Sequence, residues 1–221
     1  ITLQETILDQ FGIVTVLINN AGIVQGKPIV ELSFDEIEQT IKVNLLASFY
    51  TVKVFLPAMI SERRGYIVTV ALILGYMSPA RLGDYGASKS GLIALHESLT
   101  YELGPPSTTT TGVKTLLICP GQLKTEMFGS VRTPSSLLAP ELDPKYVARS
   151  VLRALELGRR GEIKLPMYGN FLPILRALPW PVVEPLRGFS GIDTSMAVFK
   201  KMVNTVNHSE VVSVKYTTPP R

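Results

Sequence analysis

Two hydrophobic periods alternate along this chain, and they lay out its elements. Val14-Thr15-Val16-Leu17-Ile18 and Val113-Lys114-Thr115-Leu116-Leu117-Ile118-Cys119 are short runs of branched, mostly apolar residues. Such runs read as strands of a parallel sheet buried on both faces. Glu162 to Leu165 reads as a last strand. Between the strands, apolar residues recur at helical spacing. Leu3, Ile7, Leu8 and Phe11 mark Ile1 to Phe11 as the tail of a helix. Ser33-Phe34-Asp35-Glu36 has the spacing of a capping box and starts a long helix that contains Asn44. Ala47 to Ile60 continues it, ending near Arg63-Arg64-Gly65. Tyr85 to Leu103 is a second long helix, stopped by Gly104-Pro105-Pro106, and Pro144 to Leu157 a third with proline at its start. Strands alternating with helices imply an α/β fold with a parallel sheet.

Phe171 to Phe189 breaks the pattern. Leu172, Ile174, Leu175, Leu178, Trp180, Val182, Val183 and Leu186 are interrupted by four prolines and by Arg176, Glu184 and Arg187. A spanning helix wants ~20 apolar residues, so this stretch is expected to lie on a membrane surface, to form a lid over an apolar substrate pocket, or simply to pack on the fold. Ser107 to Thr111 is a polar loop, and a disordered tail is expected over 205–221, leaving one domain over 1–204.

Composition narrows the picture only a little. The 221 residues are 46% hydrophobic, enough for a sizeable core in one domain. A net charge of +4 is mild, and apart from Arg63-Arg64 and Arg159-Arg160 the charges are scattered, so no nucleic-acid surface is expected. One cysteine, Cys119, excludes an internal disulfide and fits a reducing, intracellular compartment. Its place at the end of a strand makes it a core residue rather than a nucleophile. No metal-ligating set stands out, and no signal peptide is visible.

The chemistry begins at Asp84-Tyr85-Gly86-Ala87-Ser88-Lys89. Tyr85 and Lys89 share a helix face, and an ammonium beside a phenol favours the phenolate and lowers its pKa. A tyrosine tuned this way exchanges a proton with an oxygen near neutral pH. The first strand run ends in the small-residue loop Asn19-Asn20-Ala21-Gly22, and the second in Pro120-Gly121-Gln122-Leu123-Lys124-Thr125. Loops at the carboxyl ends of parallel strands are where such sheets bind ligands. His96, on the Tyr85 helix, reads as a polar surface histidine.

Taken in order, Asn19-Asn20-Ala21-Gly22, Asn44, Tyr85-x-x-x-Lys89 and Pro120-Gly121 resemble the short-chain dehydrogenase/reductase family, from about Val14 to about Leu165. Tyr66-Ile67-Val68-Thr69-Val70-Ala71 and Thr111-Gly112-Val113-Lys114-Thr115 are similar to its retinol and 17-beta-hydroxysteroid dehydrogenase branch. The resemblance implies an NAD- or NADP-dependent oxidoreductase for an apolar alcohol or carbonyl such as a retinoid, steroid or lipid. It implies Tyr85 as acid/base, Lys89 as the residue that lowers the Tyr85 pKa and holds the cofactor ribose, and Asn44 as holder of a relay water. Asn20, Ala21 and Gly22 would line the cofactor together with Tyr85 and Lys89. Pro120, Gly121, Leu123 and Thr125 would sit at its nicotinamide end.

Two departures qualify that expectation. The family places a serine thirteen residues before the tyrosine, and here Leu72 stands there. The glycine-rich phosphate turn, T-G-x-x-x-G-x-G, does not occur. The expected fold is therefore a partial Rossmann-like, doubly wound parallel sheet, the family's second half without its first βαβαβ half, in an N-terminally incomplete chain. The Val14 to Ile18 strand would then be a raw edge, prone to self-association. The expected place is the cytoplasm or the surface of the endoplasmic reticulum or of lipid droplets. The competing expectation is a non-catalytic remnant: a pseudoenzyme or interaction module.

Overall fold

The computed structural model describes residues 2–104, 110–125, 127, 140–191 and 193. The tail over 205–221 and Ser107 to Thr109 of the polar loop lie outside them. Four parallel strands run in the order β1 (Val16–Asn19), β2 (Gly65–Val70), β3 (Val113–Pro120) and β4 (Gly161–Leu165). The helices between them are α1 (Thr2–Phe11), α2 (Phe34–Ile41), α3 (Ala47–Ser61), α4 (Gly83–Glu102) and α5 (Pro144–Glu156).

Alternate residues of β2 and β3 face opposite helix layers, which is why these strands read as continuous apolar runs. Tyr66, Val68, Leu116 and Ile118 pack on one face with Leu142 and with Val147 and Ala154 of α5. On the other face, Ile67 and Val113 pack with Val52 and Met59 of α3 and Leu99 of α4, while Leu117 and Cys119 pack with Leu92. Helices on both faces make the sheet doubly wound. Cys119 is buried, as its position implied, and burial raises its thiol pKa.

The capping box at Ser33 is complete: Ser33 Oγ accepts from the Glu36 amide and Glu36 accepts from the Ser33 amide. Between α2 and α3 the helix relaxes into one π turn over Lys42–Leu46, which carries Asn44. Single π turns inside α-helices are frequent at functional sites. The combined stretch Phe34–Ser61 is long and apolar enough by composition to cross a membrane. Nevertheless Thr40, Asn44, Ser48, Val52 and Met59 are buried within the fold.

β1 covers Val16–Asn19 rather than Val14 to Ile18, and among the described residues it pairs only with β2. Val16 lies opposite Tyr66 and Ile18 opposite Val68, so both share the α5 face. In a strand buried on both faces, Val16 would lie under a helix layer. It is instead 45% exposed and Ile18 51%, because no described helix reaches that corner, while Leu17 packs on the α3 side.

The Phe171 to Phe189 stretch folds as two short helices, α6 (Leu172–Ala177) and α7 (Trp180–Ser190), broken at Pro179. Phe171, Ile174, Trp180, Val182 and Leu186 stay exposed on them.

Candidate functional site

The carboxyl ends of β1 and β2, the π turn and the first turns of α4 meet at one place. Asn44, fully buried, holds the loop after β1 by both ends of its amide. Its Oδ1 accepts from the Ile23 amide at 2.7 Å, and its Nδ2 donates to the Ile23 carbonyl at 2.9 Å. The same Nδ2 lies 3.1 Å from Ser88 Oγ, whose hydroxyl donates to the Tyr85 carbonyl at 2.6 Å. Asn44 therefore ties the Gly22 loop to the helix of Tyr85. Ser88 was not singled out from the sequence, although its place one residue before Lys89 was the signal.

Gly22 lies beside both polar groups: a Cβ there would make ordinary contact with Asn44 Oδ1 at 3.5 Å and Lys89 Nζ at 3.6 Å. Lys89 Nζ donates to the carbonyl of Val70, the last residue of β2, at 3.2 Å, and stands 5.7 Å from the Tyr85 ring centre. Thus Gly22, Asn44, Tyr85 and Lys89, far apart in sequence, form one site. Asn20 and Ala21 are exposed on the loop just outside it. On the far side of β3, Gly121 lies against Ile73, the neighbour of Leu72: a Cβ at Gly121 would be 3.4 Å from Ile73 Cδ1. Pro120 ends β3, and Leu123 bridges to Leu142, so the Pro120 to Thr125 loop runs beside the site.

The energetics differ from the sequence expectation. Lys89 does not lower the Tyr85 pKa in this state. Burial raises the Tyr85 phenol, and burial pushes Lys89 down to about 8. Tyr85 is 3% exposed and Lys89 4%, so each loses more by leaving water than it gains from the other across 5.7 Å. The phenol is therefore held neutral, and as it stands it is a weaker proton donor than an ordinary tyrosine.

Leu72 packs directly in the site, with Leu82 and Tyr85, and Val24 and Leu74 complete the apolar wall. Ser78, Ser88 and Thr69 do not stand in for the serine. Ser78 Oγ donates to the Leu82 carbonyl, Ser88 Oγ is committed to the Tyr85 carbonyl, and Thr69 Oγ1 pairs with His96.

His96 is a correction. It is 4% exposed rather than on the surface, with Nδ1 2.9 Å from Thr69 Oγ1. Burial holds its pKa down to about 4. Seven residues after Lys89, two helical turns, it shares the sheet-facing stripe of α4.

The fold is of the doubly wound parallel α/β class, and comparison with known proteins fixes the family. Residues 1–136 match the model of the short chain dehydrogenase family, and the chain belongs to that family. It is 37% identical over 204 residues to the "Uncharacterized oxidoreductase YDL114W" of Saccharomyces cerevisiae, covering 91% of this chain and 66% of that one. It is also 37% identical over 198 residues to human "Retinol dehydrogenase 10", covering 88% of this chain and 57% of the relative. The chain thus spans only part of the length of these relatives. Among solved structures, an alcohol dehydrogenase from the archaeon Thermococcus sibiricus complexed with 5-hydroxy-NADP matches with a TM-score of 0.62 at 26% identity. The match covers 74% of this chain and 67% of that one. A short-chain dehydrogenase from Streptomyces avermitilis shares the fold, with a TM-score of 0.65 at 21% identity over 95% of this chain and 76% of that one.

Proposed function

We propose that the protein is an NAD(P)-dependent oxidoreductase acting on an apolar alcohol or carbonyl of retinoid, steroid or lipid type. The observation that carries this reading is the convergence of Gly22, Asn44, Tyr85 and Lys89 on one buried site walled by Val24, Leu72, Leu74 and Leu82. The wall selects apolar substrates, and similarity to a retinol dehydrogenase supports the same class. Tyr85 gives a proton to the substrate oxygen, or takes one back. Lys89, still protonated near neutral pH with a pKa of about 8, would hold a ribose hydroxyl and support that exchange. Asn44 keeps the Gly22 loop in register with α4. A nicotinamide cofactor, when bound, supplies the hydride. Asn20, Ala21 and Gly22 on one side, and Pro120, Gly121, Leu123 and Thr125 on the other, fit its ribose and nicotinamide. No pyrophosphate cradle is found among these residues.

The test has two arms. Titration calorimetry of the 221-residue chain with NADH and NADPH should show weak binding or none; micromolar binding would show that the glycine turn is dispensable. Conversion of all-trans-retinol, or reduction of retinaldehyde, is then followed at high cofactor concentration. Turnover that survives Tyr85→Phe would overturn the assignment.

Leu72 favours a second reading, a non-catalytic relative, because the site holds no donor in the serine's place. Complete absence of turnover with micromolar ligand binding would select it.

Two associations accompany the first reading. The exposed Trp180, Val182 and Leu186 of α7, with Ile174 of α6, form an apolar surface suited to peripheral contact with an intracellular membrane. Flotation with phosphatidylcholine vesicles should carry the chain, and Trp180→Ser with Leu186→Ser should release it. The uncovered β1 edge suits pairing with a second copy, which Val16→Lys should reduce by light scattering.

A further inference from the structure

Two C-terminal side chains reach back to the loop that leads from Leu72 into Tyr85. Arg187 Nη2 donates to the Ser78 carbonyl at 2.7 Å and to Asp193 Oδ1 at 2.8 Å, while its Nε donates to Asp193 Oδ2 at 2.8 Å. Asp193 Oδ1 in turn accepts from the Ala80 amide at 2.7 Å. Gly191, at φ 63, ends α7 in a left-handed turn that brings Asp193 back to Arg187. From α6, Arg176 Nη1 donates to the Gly75 carbonyl at 3.3 Å. A half-exposed ion pair alone holds little. Here the pair is bidentate, and each member also bonds the backbone of one loop, Arg187 at the Ser78 carbonyl and Asp193 at the Ala80 amide, which makes it a clip.

That loop needs holding. Arg81 has φ 68, a left-handed conformation that a non-glycine residue keeps only where its surroundings impose it. Its neighbours transmit the constraint to the site. Leu82, fully buried, packs on Leu72 and Tyr85. Ser78 lies against the residue after Tyr85: a Cβ built on Gly86 would come within 2.0 Å of Ser78 Oγ. Movement of Ser78 or Leu82 is therefore movement of the packing around the Tyr85 ring.

We infer that Arg187 and Asp193 are positioning residues, which clip the 75–82 loop from the C-terminal helices and so fix Leu82 and Ser78 against Tyr85. The functional meaning of this inference rests on Tyr85 being the acid/base, but its test does not require turnover. Amide hydrogen exchange of the 221-residue chain is compared in the parent, Arg187→Gln, Arg187→Lys and Asp193→Asn. The tyrosines are replaced by meta-fluorotyrosine, with the Tyr85 fluorine resonance assigned from Tyr85→Phe. Amides from Ala80 to Gly86 should exchange roughly tenfold faster in Arg187→Gln and Asp193→Asn, with Leu116 to Ile118 unchanged. The Tyr85 resonance should shift, and Arg187→Lys should keep part of the protection. Adding Arg81→Gly, which removes the left-handed strain, should restore protection to Arg187→Gln. Should Arg187→Gln also unprotect β3, the comparison passes to Asp193→Asn, which leaves the arginine's bond to the Ser78 carbonyl in place. Unchanged exchange from Ala80 to Gly86 would overturn the clip. Faster exchange with an unmoved Tyr85 resonance would overturn its role at the site. Absence of turnover in every preparation would count against the acid/base reading alone.

Discussion

Replacing Leu72 with serine is expected to raise turnover, assayed at high cofactor concentration, by roughly a hundred- to a thousandfold, the usual worth of one oriented donor to a developing oxyanion. Leu72 ends the segment that leaves β2 and packs against Tyr85 and Leu82, so a hydroxyl there would face the same space as the phenol. Ser78, Ser88 and Thr69 each already have a partner, and none of the three can move in without breaking that bond. The gain should appear in kcat and not only in KM, because the donor strengthens as charge develops on the substrate oxygen. The substitution removes a side chain that is 5% exposed, and truncating a buried leucine costs about 2–5 kcal/mol. A thermal melt must therefore accompany the assay, and turnover is compared per folded molecule. Tyr85→Phe in the serine background should return the rate to the floor. If the folded serine variant is no faster than the parent, the donor position is misplaced and the apolar wall has another purpose.

The parts of this fold legible in the sequence are those where one local rule decides. β3 is buried on both faces, so its apolar run is unbroken and its limits nearly coincide with the expected ones. The Ser33 capping box is a local exchange of hydrogen bonds, and it forms as its spacing implies. Tyr85, Lys89 and Asn44 were legible as a set, and the structure brings them together. What the sequence could not carry is set by tertiary surroundings. The tuning of Tyr85 follows burial and not the nearby ammonium, and burial depends on Leu72 and Leu82 arriving from another element. The π turn at Lys42–Leu46 has no local signature. Val16 and Leu17 are both apolar, and only the extent of α5 decides which of them is left uncovered. The Arg187 clip needs a left-handed Gly191 and a loop more than a hundred residues upstream in sequence, which no periodicity reports.

His96 shows the same limit and yields a prediction about acid. A polar residue on a helix reads as surface, yet its partner Thr69 is on β2, and only the packing of α4 on the sheet brings them together. With its pKa held down to about 4 against an ordinary 6.5, His96 stays neutral in the folded protein through the range where it protonates in the unfolded chain. Below pH 6.5 the unfolded state thus binds the extra proton, and stability falls as pH falls. The contribution is fully present above 6.5 and is lost progressively down to about 4. At ~1.4 kcal/mol per pH unit, that interval amounts to on the order of 3 kcal/mol. Urea unfolding should show the parent losing roughly 2 kcal/mol between pH 7 and pH 5 from this group. His96→Gln keeps a side chain able to bond Thr69 and removes the titration. It should be less stable than the parent at neutral pH and should lose less on acidification. The structure also holds the Glu36 and Asp193 carboxyls below their ordinary pKa values, so some acid sensitivity persists in the variant at lower pH. Equal losses between pH 7 and pH 5 in parent and variant would mean that His96 takes up its proton without leaving its place against Thr69, and that the sheet-facing stripe of α4 tolerates a charge.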